Sequence, residues 1–247
     1  MTDKNTVCRR FARAAATYTA EAGVQRRIAG ELAGLIAGLN IPPAGRILEI
    51  GCGTGFLTEK LLEMLKPASM TVNDLCPQML DRLSCGGVEK MAGDAETLPY
   101  PDNLNLIASA STVQWFAELQ QWFDKCARAL APDGILAFST FGPQNMHQTA
   151  HLTGSGLEYR TAEELCRMLA DKFEVLHVSQ QTVTLHFDSA RQVLLHLRRT
   201  GVTATAKGGA WSPAHLADFE RRYAEQFPSP QGIPLTYNPL YITARKK

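Results

Sequence analysis

No stretch of this 247-residue chain approaches the roughly 18 uncharged apolar residues that a membrane span needs, which predicts a soluble protein. The six cysteines, at positions 8, 52, 76, 85, 126 and 166, never fall as C-x-x-C, and the N-terminus lacks the apolar core of a signal peptide; reduced thiols in a cytoplasm are the expectation. An excess of charge is missing too. A formal net charge of +1 gives no overall pull toward nucleic acid or anionic lipid, so neither is expected as a partner. The six histidines are scattered, with His147 and His151 the only close pair, and no metal site is expected. Internal repeats and low-complexity segments are also lacking. With 45% hydrophobic and 20% charged residues the chain reads as an ordinary globular protein of one-domain size, expected to be a monomer.

What is present is most informative between Arg46 and Phe56, where the chain reads RILEIGCGTGF. An apolar strand carrying an acid runs into Gly51, Gly53 and Gly55, and such a strand delivers the chain to the carboxyl edge of a parallel sheet, where open α/β folds bind ligands. Glycines there let the backbone approach a ligand without Cβ atoms in the way. A dinucleotide turn needs G-x-G-x-x-G, and its third glycine would fall at position 56, which is Phe56. G-x-G-x-G points instead to S-adenosylmethionine, which has no phosphate to hold against a helix N-terminus. A plain tight turn is the alternative for the glycines alone.

Two helices are predicted ahead of the sheet, from Phe11, Ala15, Tyr18 and Ala22, then Ile28, Leu32, Leu35 and Leu39 at helical intervals. Pro42, Pro43 and Gly45 break that pattern. Strand 46–51, helix 56–66, strand 70–73, helix 77–83 and strand 88–92 then alternate, followed by strand 104–109, helix 116–130 and strand 134–140, which argues for a doubly wound parallel sheet. After Phe141 the pattern changes. Thr161 and Glu164 make a capping box for a helix over 161–170, residues 173–187 read as one long strand, and 237–244 as the last strand. Two helical stretches between them, 190–199 and 213–226, read as an insertion that together with the N-terminal helices closes over a substrate.

Asp74 ends the second strand, about 20 residues beyond the glycine turn, where a carboxylate reaches ribose hydroxyls. The competing reading makes it the N-cap of a helix at Pro77. Asp94 follows the third strand and suits the exocyclic amine of an adenine. Glu49, Asp74 and Asp94, in order and each after an apolar run, are read together as one adenosyl site.

These segments, EIGCGTG, NDLCPQML, GDAETLP and LAPDGILAFSTFG, resemble the class I S-adenosylmethionine-dependent methyltransferases over residues 46–142. Flanking segments extend the likeness: FARAAATYTAEAGVQRRIA from Phe11, STVQWF from Ser111, LRRTGV from Leu197 and PLTYNPLYITARK near the end resemble the malonyl-carrier-protein O-methyltransferases of biotin synthesis. The resemblance implies a single Rossmann-like domain over 1–247 with a mainly parallel seven-stranded sheet. It further implies an N-terminal helical lid over 6–40, a cofactor core over 46–142 and a helical insertion over 188–230. It implies that S-adenosylmethionine is held by Glu49, Gly51, Gly53 and Gly55 at its amino acid end, by Asp74 and Leu75 at the ribose, and by Asp94 and Ala95 at the adenine, with Ser111 and Gln25 also in contact. Gln114 and Trp115 are candidates for shaping the acceptor pocket, although Trp115 and Phe116 also suit the start of a core helix. Tyr18 and Gln25, seven apart and read as one helix face, resemble lid residues over the cofactor, and ordinary packing suits that spacing too.

The acceptor implied is the free carboxylate of malonyl-acyl carrier protein, esterified to prime pimeloyl synthesis. A carboxylic acid titrates near 4, so the nucleophile is already ionised and no general base is expected. Arg198 is the candidate for orienting that carboxylate through its planar fork, with a solvated helix face as the competing reading. Arg198, Arg199, Lys207, Arg221 and Arg222 are available for docking an acidic carrier. Another small-molecule acceptor such as a quinone precursor or a free acid, a regulatory cofactor-binding protein and a nicotinamide-dependent dehydrogenase are the rival readings.

Overall fold

A computed structural model describes residues 3–42, 45–202 and 211–247; Pro43 and Lys207 lie outside them. α1 (Lys4–Glu21) starts where the Asp3 carboxylate accepts the Asn5 and Thr6 amides, and it stops at Ala22, whose N–H bonds the Tyr18 carbonyl. α2 (Gly23–Ala37) buries Val24, Ile28, Leu32 and Ile36, a stripe four residues apart that lies against the sheet. The break at Ala22 puts Tyr18 and Gln25 on two successive helices and not on one face of a single helix, because Ala22 leaves helical geometry at φ −85° and ψ 47°.

The core continues as β1 (Arg46–Ile50), α3 (Phe56–Leu65), β2 (Ser69–Asp74), α4 (Pro77–Asp81), β3 (Glu89–Ala92), β4 (Leu104–Ala110), α5 (Leu119–Ala129) and β5 (Leu130–Phe141). α6 (His147–Thr153), α7 (Ala162–Leu169), β6 (Phe173–Gln180), β7 (Val183–Phe187), α8 (Ala190–Arg199), α9 (Pro213–Gln226), β8 (Ile233–Tyr237) and β9 (Pro239–Lys246) complete the chain. Seven strands form one sheet in the order β3-β2-β1-β4-β5-β9-β6, parallel except for β9, which runs antiparallel to both neighbours. Period-two alternation along β1 sends Ile47 into the core under α2 and α3 and Leu48 and Ile50 into the core under α5 and α7, so both faces are covered. On the second face Trp122, Phe123 and Phe138 pack ring against ring, and truncating one of them to Ala would cost about 3–5 kcal/mol.

Two strands differ from the sequence expectation. The segment 173–187 is two strands, because β7 leaves the sheet after Gln181 and pairs with β8 in a separate two-stranded ribbon. The last strand likewise divides at Asn238, which joins the break points: its side-chain amide donates to the Gln181 carbonyl at 2.8 Å, and its backbone N–H donates to Asn145 Oδ1 at 3.1 Å. The helix expected from Phe116 begins only at Leu119, after a 3-10 turn at Val113–Trp115. The Thr161–Glu164 capping box is formed as expected.

Candidate active site

The carboxyl ends of β1, β2, β3 and β4 open on one cavity, roofed by α1, α2 and the stretch after α8, with an empty space of about 1050 Å³ that includes its opening to solvent. Gly51 leaves β1 at φ +67°, and a Cβ on it would stand 2.1 Å from Thr112 Oγ1, so only glycine fits. Gly53, at φ +56°, is different: the nearest atom to a Cβ there is Tyr18 Cε1 at 4.0 Å, which leaves an open cradle on the cavity floor. Gly55 does not line the cavity; a side chain there would strike Leu83, so it serves helix packing.

Asp74 sits at the rim of the cradle. Its Oδ2 accepts the Gly53 N–H at 2.9 Å and its Oδ1 the Cys76 N–H at 2.8 Å, while Cys76 occupies the N-cap position of α4. Burial pushes the Asp74 pKa up to about 6, and the two N–H bonds oppose that rise. Leu75, Asp94 and Ala95 line the adjoining end. There Lys4, from the first turn of α1, bonds both Asp94 oxygens at 2.8 and 2.7 Å and also pairs with Glu96. Glu96 in turn accepts the Ala117 and Glu118 amides at 3.1 and 2.7 Å, so one ion cluster clips α1 to the loop after β4.

Glu49 does not line the cavity. It is 1% exposed beneath the glycine turn, its Oε2 accepts the Thr58 hydroxyl at 2.6 Å, and burial pushes its pKa up to about 8, with Thr58 opposing and Asp74 adding to the rise. Ser111 adopts φ +55°, held by bonds from its N–H to Ser139, and its hydroxyl is buried without a partner. Gln114 folds back on the Ser111 carbonyl at 2.6 Å, and Trp115 meets Phe11 edge-on at 6.0 Å. Tyr18 stacks on Phe56, and burial, followed by Asp74, raises its pKa, so it remains a neutral phenol. Gln25 lines the cavity with an unpartnered Oε1.

The structure thus brings Tyr18, Gln25, Gly51, Gly53, Asp74, Leu75, Asp94, Ala95, Ser111, Gln114 and Trp115 to one cavity and leaves Glu49, Gly55 and Arg198 outside its lining. Arg198 is exposed on the last turn of α8, while Thr200 and Val202 just beyond it reach the wall. Arg199 pairs with Glu21 at 2.8 Å, and Arg221 and Arg222 are paired with Asp218 and Glu225 on their own helix. Sequence reasoning missed Lys4, Asn145, Tyr159 and Tyr237. Tyr159, whose hydroxyl accepts from Asn145 at 2.8 Å, had no local signal. An open glycine cradle, two buried polar atoms without partners and two carboxylates at adjacent strand ends fit a ligand with a polar amino acid end and an adenosyl end.

Residues 48–138 match the methyltransferase domain family. The malonyl-[acyl-carrier protein] O-methyltransferase of Bacteroides thetaiotaomicron is 38% identical to this chain, over 99% of each. The protein of the same name from Bacteroides helcogenes is 40% identical, again over 99% of each. Among solved structures, the YcgJ protein from Bacillus subtilis superposes with a TM-score of 0.65 at 16% identity, over 88% of this chain and 99% of its own. The N-methyltransferase NodS from Bradyrhizobium japonicum, solved with S-adenosyl-L-homocysteine, gives a TM-score of 0.54 at 18% identity over 90% of this chain and 86% of its own. At those identities the two structures speak for the fold.

Proposed function

Since the chain belongs to the malonyl-[acyl-carrier protein] O-methyltransferases, we infer that it transfers a methyl group from S-adenosylmethionine to the free carboxylate of malonyl-[acyl-carrier protein], giving the malonyl methyl ester that primes pimeloyl synthesis toward biotin. The observation that carries this reading is identity spread over 99% of the chain, lid and insertion included, and not over the cofactor core alone. Fold likeness by itself would leave the acceptor open.

When bound, S-adenosylmethionine supplies a sulfonium methyl that a carboxylate oxygen can take in line. The chain's own task is to hold and orient. Gly51 and Gly53 bring the backbone close to the amino acid end, while Gly55 sets the helix behind them and Glu49 supports the turn from below. Asp74 has lone pairs free for two ribose hydroxyls, Leu75 and Ala95 flank the adenine, and Asp94 offers an oxygen to its amine beside Lys4. The neutral phenol of Tyr18 and the amide of Gln114 donate to the substrate carboxylate, and Trp115 walls the reacting centre from water. No residue has to take a proton, because the acceptor is ionised at neutral pH. Opposite charges cancel as the ester forms, so rate comes from collinear alignment in a dry chamber. Arg198 meets the carboxylate at the mouth, as a guide that releases it inward.

In the same reading residues 46–142 are the cofactor core of one domain, 6–40 its lid and 188–230 a second cover. The protein works as a cytoplasmic monomer on a carrier protein and without nucleic acid. Intact-mass spectrometry of malonyl-acyl carrier protein incubated with enzyme and S-adenosylmethionine tests the reading. One added methyl per malonyl group is expected; an unchanged mass, with methylation of a different acceptor, would refute it.

A further inference from the structure

A second cavity adjoins the first. It holds about 2090 Å³ of empty space including its opening to solvent, and both cavities are lined by Gln114, Trp115, Phe116, Phe141, Leu157 and Tyr159. Tyr159 stands in the loop between α6 and α7, and its ring meets Phe141 edge-on at 6.3 Å. Its hydroxyl lies 2.8 Å from the side-chain amide of Asn145, which lines the first cavity and not the second. The hydroxyl end of Tyr159 is therefore on the side of the reacting centre.

The orientation of Asn145 is fixed by a group that can only donate. The backbone N–H of Asn238 bonds Asn145 Oδ1 at 3.1 Å, so the amino half of that amide is the half that faces Tyr159 and donates to the phenol oxygen. A phenol that accepts this bond keeps its own hydrogen for another partner. Among the described residues nothing accepts it. Burial pushes the Tyr159 pKa up to about 12, opposed by the Asn145 bond, so the hydrogen is in place at neutral pH. An acyl group carried on an arm comes in from solvent with its free carboxylate foremost and its thioester one methylene behind, so a donor at the junction of the two cavities meets the thioester carbonyl. We propose that Tyr159 donates its hydroxyl hydrogen to the thioester carbonyl of the malonyl group, and so selects an acyl thioester over other carboxylic acids. This rests on the reading of the acceptor as malonyl-[acyl-carrier protein]. A plain carboxylic acid offers its carboxylate to Tyr18 and Gln114 equally well but has nothing to place against Tyr159.

Two acceptors separate this role from packing. One is malonyl-acyl carrier protein; the other is the same carrier bearing a 2-carboxyethyl thioether, in which a methylene replaces the thioester carbonyl. The ratio of kcat/KM for the first over the second should fall about tenfold in Tyr159→Phe, the loss of one hydrogen bond to a desolvated carbonyl, while S-adenosylhomocysteine binds as before by calorimetry. Asn145→Asp keeps an oxygen for the Asn238 N–H and turns the other into an acceptor for the Tyr159 hydroxyl; it should lower the ratio by a similar factor with the phenol still present. Equal losses on both acceptors would place the contact on the carboxylate and overturn the proposal, and a parallel loss of S-adenosylhomocysteine affinity would mean a deformed cavity and overturn it too. Should Tyr159→Phe fail to fold, Asn145→Asp decides by the same ratio. If the unaltered protein methylated neither carrier, the reading of the acceptor would fall and this proposal with it, whereas an unchanged ratio in the variants of an active enzyme overturns the proposal alone.

Discussion

Replacing Glu49 by Gln removes a titration from under the glycine turn, and its effect on stability follows from the structure. Burial, opposed by the Thr58 hydroxyl and reinforced by Asp74, moves the Glu49 pKa from an ordinary 4.5 up to about 8. A folded-state value above the unfolded one means that the folded protein keeps a proton the unfolded chain releases. Stability therefore falls as pH rises between those two values. From pH 5 to pH 8 the loss is about 1.4 kcal/mol per unit, on the order of 4 kcal/mol in all. Gln carries no charge at any pH and keeps an oxygen for Thr58, but its buried amide hydrogens cost about 1–3 kcal/mol throughout. The variant should therefore be the less stable protein at about pH 5 and the equal or more stable one at about pH 8. Asp74 titrates in both proteins and drops out of the comparison. Urea unfolding at the two pH values reads the crossing. A stability difference that stays constant across the range would refute the claim that Glu49 is held protonated.

Asp74→Asn removes the charge that faces the ribose and one of the two backbone bonds, so S-adenosylhomocysteine should bind about 10–100-fold more weakly by calorimetry; unaltered affinity would remove Asp74 from the site. Lys4→Met breaks the clip to Asp94 and Glu96, and stopped-flow release of S-adenosylhomocysteine should become severalfold faster and lose its dependence on salt, whereas an unchanged rate would make the cluster a passive surface feature. Arg198→Ala should raise the KM for malonyl-acyl carrier protein severalfold while sparing donor affinity, and unchanged kinetics would dismiss Arg198 as a guide.

The features legible in the sequence were those whose cause is local. The glycine turn, the apolar strands, the acid at the end of β2 and the Thr161–Glu164 cap each depend on neighbours within a few residues. Features set by distant contacts were not legible. Lys4 meets Asp94 across 90 positions, and His196 meets Tyr237 across 41. The breaks that divide 173–187 and 237–244 are held by Asn238 bonding Gln180 and Gln181, polar residues that read as ordinary strand edges until the fold joins them. α6 had no capping signal either, since Met146 precedes it with a left-handed backbone and no side-chain cap. The helical spacing of Tyr18 and Gln25 implied one face of a single helix, whereas the two line one cavity from different helices.

The adenosyl site is the premise of every role assigned here, and a crystal structure with S-adenosylhomocysteine tests it most directly. The ribose is expected on Asp74, the adenine beside Asp94 and the Lys4 clip, and the sulfur turned toward Gln114 and Trp115. A ligand seated elsewhere, with Asp74 and Asp94 both without contact to it, would remove the adenosyl site.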